Sequence, residues 1–203
     1  MFDLPDLQER LSRTLSPARY RHSLAVMELA RELAEVYGAD PAEAAVAGLL
    51  HDVAREMEPG RLLALADEWG LTLCEIDRRV PVLLHGIVGA ELLRREWNLE
   101  NPRILTAVAQ HITGGPVMSL LSQVVFIADY AEPGRKFPAS ETARLLARED
   151  RVKALKFIIN RGIKYVLNRG FLIHPLAIEA WNQLAAEGDL KPSQEEQGRK
   201  KDE

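Results

Sequence analysis

His51 and Asp52 stand side by side at the end of an apolar run, Ala44, Ala45, Val46, Ala47, Gly48, Leu49 and Leu50. A helix carrying that run buries the face on which it sets these two potential metal ligands. Three more histidines share such surroundings. His22 falls on a helical stripe with Val26, Leu29, Leu33 and Val36, His85 precedes Gly86 and Gly89, and His111 follows Ile104, Ala107 and Val108. One histidine on an apolar face is usually a satisfied core residue. Four of them, joined by Asp52 and by Asp129 at the close of LLSQVVFIAD, call for a cation. A buried carboxylate left alone costs several kcal/mol or takes up a proton. No Lys or Arg lies at contact spacing on the apolar face of the Asp129 helix, so a metal ion is expected there rather than a salt bridge.

Mixed imidazole and carboxylate donors suit iron, manganese, cobalt or zinc better than magnesium or calcium. His22, His51, Asp52 and Asp129 can hold one ion; His85 and His111, with Asp52 shared, can hold a second. Adjacent helical residues project about 100° apart, so His51 and Asp52 must lie near a helix end to reach neighbouring positions. The two oxygens of Asp52 can then bridge two ions, which makes it the expected catalytic residue. Two metals about 3.5–4 Å apart turn a bridging water into hydroxide near neutral pH and polarise a phosphoryl oxygen for in-line attack. Hydrolysis of a phosphate ester or anhydride is the expected reaction. Arg55, one turn beyond the His51–Asp52 pair, and Arg135 with Lys136, across the turn AEPG from Asp129, are the expected phosphate-binding residues. Nucleophilic catalysis is not indicated: Cys74 has no motif around it, and there is no GxSxG elbow.

The elements that must position these groups read as helices throughout. Ser16, Asp40 and Asn101 each precede a proline, a capping side chain followed by a residue suited to the first helical position. Glu43, three residues after Asp40, suggests a capping-box variant. Gly38 and Gly114 mark helix ends. Helices are predicted over 17–37, 41–54, 58–69, 74–97, 102–111, 119–130, 142–148, 151–168 and 175–187. No strand-type alternation is evident, so the fold class is all-α, antiparallel helices joined by short loops. Residues 1–187 are expected to form one domain and 188–203 a charged, disordered tail.

Composition narrows the partners. With 203 residues, 47% hydrophobic and 28% charged, the chain has the profile of a globular protein. A formal net charge of -4 offers no basic surface for nucleic acid. From Ile104 to Ala128 no Lys, Arg, Asp or Glu occurs, yet Gln110, His111 and the TGGP break divide the stretch into two buried helices rather than a membrane span. Cys74 is the only cysteine, so no intrachain disulfide forms. With no apolar signal segment at the N-terminus, a cytoplasmic location is expected.

The segments AGLLHDVA, HGIVGAELL, HITGGPVMSLLSQVVFIADYAEPGRKFP and RGFLIHPLAIEAWN resemble the bacterial HD-domain symmetrical bis(5′-nucleosyl)-tetraphosphatase family, over about residues 17–184. The resemblance implies an HD-domain helical bundle with a di-iron centre that hydrolyses diadenosine tetraphosphate to two ADP. Carried over residue by residue, it gives His22, His51, Asp52 and Asp129 to one iron and Asp52, His85 and His111 to the other. The pattern departs at Arg55, Ile87, Gly115, Asn160 and Arg161, none of them a ligand. His174 matches a family motif outside the ligand set, and its place before Pro175 suggests helix entry. The competing readings are a mononuclear HD-type nucleotidase and a non-catalytic nucleotide or metal sensor acting on a partner protein. A homodimer is compatible with the sequence.

Overall fold

The computed structural model describes residues 3–188; all but the first residue of the expected tail lies outside them. Among the described residues there are eleven α-helices, one short 3-10 helix and no strand. In chain order the helices are α1 (Leu4–Thr14), α2 (Pro17–Tyr37), α3 (Pro41–Leu50), α4 (Pro59–Glu68), α5 (Glu75–Arg79), α6 (His85–Glu96), α7 (Pro102–Gln110), α8 (Leu120–Ala131), α9 (Pro138–Glu149), α10 (Arg151–Asn168) and α11 (Pro175–Gly188). None of them is long and apolar enough to cross a membrane.

Helices α2, α3, α7 and α8 pack on one another, with α6 against α7 and α9 and α10 against α8. The apolar runs noted above make this centre: Ala44, Ala47, Leu49, Leu50, Ile104, Val108, Val124 and Ile127 are all buried. Two glycines set the spacing. A Cβ on Gly48 would lie 3.0 Å from the Val26 carbonyl oxygen, and one on Gly86 2.8 Å from that of Ala109. Only hydrogen at these positions lets α3 close on α2 and α6 close on α7.

Helix starts follow the sequence. Ser16, Asp40 and Asn101 cap α2, α3 and α7 from the side chain, each ahead of a proline, an arrangement worth about 1 kcal/mol per cap. Gly38, at φ 79°, ends α2 in the left-handed region.

Several expectations are corrected. Glu43 does not close a capping box; it is buried and accepts from Asn101 Nδ2, at 2.8 Å, and from Arg103. Val36 is 63% exposed, because the last turn of α2 is anchored instead by Ala34 and by Tyr37, whose hydroxyl donates to the Ala147 carbonyl. The helix predicted over 74–97 is broken by Pro81 into α5, the 3-10 helix Pro81–Leu84 and α6. Helix α1, capped by Asp3 and buried through Leu7 and Leu11, was not predicted, and α9 is longer than its prediction.

The end of α3 matters most. Helix 41–54 was predicted, but the α-helical ladder stops at Leu50 and tight turns follow, with Val53 N–H on Leu50 O (3.1 Å) and Arg55 N–H on Asp52 O (2.9 Å). This tightening lets adjacent side chains converge, which a continuing α-helix forbids.

Candidate metal centre

Three of the four imidazoles are aimed by their own backbone. His51 is the C-cap of α3, His111 the C-cap of α7, and His85 follows the 3-10 helix. At such ends the last carbonyls have no helical donor. His51 Nδ1–H donates to Gly48 O at 2.7 Å, His85 Nδ1–H to Val82 O at 2.5 Å and His111 Nδ1–H to Val108 O at 2.7 Å. The carbonyl can only accept, so the tautomer follows: in the neutral ring Nε2 carries the lone pair. His22, in the middle of α2, reaches the same state differently, with Nδ1 3.1 Å from the Glu132 carboxylate.

The four Nε2 atoms converge on two carboxylates. Asp52 divides its oxygens: Oδ1 lies 3.3 Å from His85 Nε2 and 3.6 Å from His111 Nε2, while Oδ2 lies 3.4 Å from His51 Nε2 and 3.8 Å from His22 Nε2. Asp129 Oδ1 is 3.0 Å from His22 Nε2 and 3.6 Å from His51 Nε2. The rings form a chain, with centroids 5.2, 4.9 and 5.1 Å apart from His22 through His51 and His111 to His85. All six residues singled out from the sequence meet in one place.

The donors fit metal ions. His51 Nε2 is fully buried and has no hydrogen-bond partner; its nearest carboxylate oxygens are at charge-contact distance without hydrogen-bond alignment. His22, His51 and Asp129 offer ligand atoms within 4.8 Å of one another, as do His51, Asp52 and His111. Lone pairs facing carboxylates need a cation between them.

Charge balance supports the same conclusion. Burial works against the charge on Asp52, yet the imidazoles, His51 foremost, hold its carboxyl well below the usual range. Asp129 is likewise held low against its burial by His22, His51 and Arg135. Burial would push His51 down, but Asp52 and Asp129 outweigh it, and the ring is pushed up to about 10. Burial pushes His85 down, keeping it neutral.

Arginine also reaches both carboxylates, which corrects the expectation that Asp129 lacks a salt bridge: the arginines come from the first turn of α2 and the turn after α8, not from the apolar face of the Asp129 helix. Arg19 Nη1 donates to Asp52 Oδ2 at 2.8 Å and Arg135 Nη2 to Asp129 Oδ1 at 2.6 Å. Arg19 and Glu132 were missed. Arg19 reads as a surface residue in the first turn of α2, and the buried Glu132 as part of a solvated turn, so no signal marks either.

A cavity of about 410 Å³ opens beside the centre. Arg19, Arg55, Arg135, Asp52, Asp129, His85 and His111 make its polar end; Ile158, Ile159, Ile163 and Ile173 make its apolar wall. Lys136 is exposed and does not line it. His174 lines the far side but stays apart from the cluster: its Nδ1 accepts from Leu176 N–H at 3.2 Å, and its Nε2–H donates to Asp77 Oδ1 at 3.2 Å. With its proton on Nε2, the ring braces α5 against the start of α11, which extends its expected role in helix entry. Cys74 Sγ lies 3.5 Å from that nitrogen.

The HD domain model matches residues 19–134, a span that contains all six clustered residues. A Halalkalibacterium halodurans protein named symmetrical bis(5′-nucleosyl)-tetraphosphatase is 36% identical, covering 85% of this chain and 92% of that one. A Bacillus subtilis protein of the same name is 33% identical over the same shares. A Clostridium acetobutylicum structure, described as a predicted HD superfamily hydrolase involved in NAD metabolism, superposes with a TM-score of 0.89 at 36% identity, covering 92% of this chain and 99% of that one. The chain belongs to the HD domain family, in the branch of the symmetrical bis(5′-nucleosyl)-tetraphosphatases.

Proposed function

We propose that the protein is a metal-dependent phosphohydrolase that cleaves diadenosine tetraphosphate at its central anhydride to two ADP. The observation that carries this is the division of Asp52, one oxygen toward His51 and His22 and the other toward His85 and His111. Such a carboxylate could serve two ions. His22, His51, Asp52 and Asp129 would hold one and Asp52, His85 and His111 the other, with iron first among the metals and manganese, cobalt or zinc able to replace it. Bound there, the pair would supply Lewis acidity toward a phosphoryl oxygen and acidify water at neutral pH.

The rest is done by side chains of the chain itself. Arg19, Arg55 and Arg135 face the cavity and can grip phosphate oxygens in two-pronged fashion. The isoleucine wall excludes water from the buried half of the substrate and gives a purine an apolar surface. Glu132 and the three carbonyls each engage an Nδ1, which turns every Nε2 toward the ions the site would hold.

Purified protein supplied anaerobically with iron and diadenosine tetraphosphate should yield ADP as the sole product. AMP with ATP would mean asymmetric attack and would overturn the assignment. Binding without turnover would favour a sensor. Retained metal content and rate in His85→Ala and His111→Ala would favour a mononuclear nucleotidase.

A further inference from the structure

The proposed substrate carries two nucleosides, and the mouth of the cavity of about 410 Å³ has side chains suited to the second of them.

At the mouth, Tyr165 and Leu172 line the cavity while remaining 57% and 46% exposed. Arg161 is exposed one helical turn before Tyr165 on the same side of α10, and Lys164, also exposed, projects about 100° round the helix from Tyr165; neither lines the cavity itself. The Arg169 guanidinium lies 5.5 Å from the Tyr165 ring. From Asn160 to Ile178 the chain has Arg or Lys at 161, 164 and 169 and no Asp or Glu, although its formal net charge is -4. An aromatic face with cations on the same end of the helix suits a base and its phosphates, the pairing by which single-stranded nucleic acids are held without reading base identity.

We infer that the exposed end of α10 is a second nucleotide site, with Tyr165 stacking the outer base and Arg161 and Arg169 meeting the outer phosphates. This rests on the dinucleoside polyphosphate reading. The outer half is held by stacking and charge, so the site tolerates any base there, while the cavity selects the inner nucleoside.

The test compares equilibrium binding of two non-hydrolysable, methylene-bridged analogues to the metal-loaded protein, one of diadenosine tetraphosphate and one of adenosine 5′-tetraphosphate. They share an inner nucleoside and phosphate number and differ in the outer adenosine, in whose place the second has a free, more highly charged terminal phosphate. The wild-type protein should bind the dinucleoside analogue on the order of 10-fold or more tightly, the range expected for one stacked base. In Tyr165→Ala that ratio should fall to about one, and in the double variant Arg161→Gln, Arg169→Gln both analogues should weaken and lose part of their sensitivity to salt. Equal binding of the two by the wild type, no binding of either, or an undiminished ratio in Tyr165→Ala would overturn the second site. Because no turnover is needed, a hydrolysis assay on the wild type judges the activity separately.

Discussion

Glu132 stands 3.1 Å from Nδ1 of His22, on the opposite edge of the ring from Asp129, which lies 3.0 Å from Nε2. It does for His22 what backbone carbonyls do for the other three histidines, because a ring in mid-helix has no free carbonyl within reach. Glu132→Gln keeps the shape but can present its amide N–H to Nδ1 and so reverse the tautomer. Metal affinity should fall about 10- to 100-fold, measured by competition with a chelator, while thermal unfolding of the metal-free protein changes little.

His51 demands a positive charge between Asp52 and Asp129 whether or not metal is bound. With its imidazole pushed up to about 10, the metal-free protein holds a proton there at neutral pH. The linkage sign is that of a raised group: the stability it contributes is whole below 6.5, the ordinary value, and is lost as pH rises through about 10. Metal uptake at pH 7 should therefore release a proton. Calorimetric titration in buffers of different ionisation enthalpy measures this, and heats independent of buffer would refute it.

Gly86→Ala should destabilise the protein by about 1–3 kcal/mol, because the new methyl meets the Ala109 carbonyl at 2.8 Å, a backbone atom that cannot turn aside. Denaturant unfolding measures the loss. Since α6 and α7 carry or adjoin His85 and His111, occupancy of the second ion should fall with it.

Glu56 ties the start of α2 to the turn beyond Asp52, accepting from Ser16 N–H at 2.7 Å and Ser16 Oγ at 2.6 Å. These two bonds hold its carboxyl below the usual range. The sign is that of a depressed acid: the contribution is present above the unfolded carboxylate value and lost as pH falls through the folded one. Glu56→Gln should lower the melting temperature at pH 7 and converge with wild type in strong acid. Exposure to solvent keeps the difference below about 1 kcal/mol.

The sequence displayed most of what lies in the helices and little of what lies between them. His22, His51, His85, His111, Asp52 and Asp129 were legible because imidazoles and carboxylates on apolar faces conflict with burial unless they serve a common ion. The caps at Ser16, Asp40 and Asn101 were legible because capping is local. Arg19, Glu132 and the partnership of Asp77 with His174 were not, since each depends on which turn lands beside which helix, and pairs 97 or 110 residues apart leave no periodic trace. The early stop of α3 at Leu50 was hidden for a related reason: residues 51–54 are compatible with helix, and the convergence of His51 with Asp52 overrides that propensity.

Three of the rings take their bearing from a carbonyl only three positions upstream. Each tetrapeptide is thus a prefabricated bracket whose aim survives rigid movement of its helix but not insertion of one amino acid inside it. Drift elsewhere in the bundle can be absorbed by small tilts, whereas a single indel within 48–51, 82–85 or 108–111 would misdirect one imidazole while leaving the surrounding shell folded.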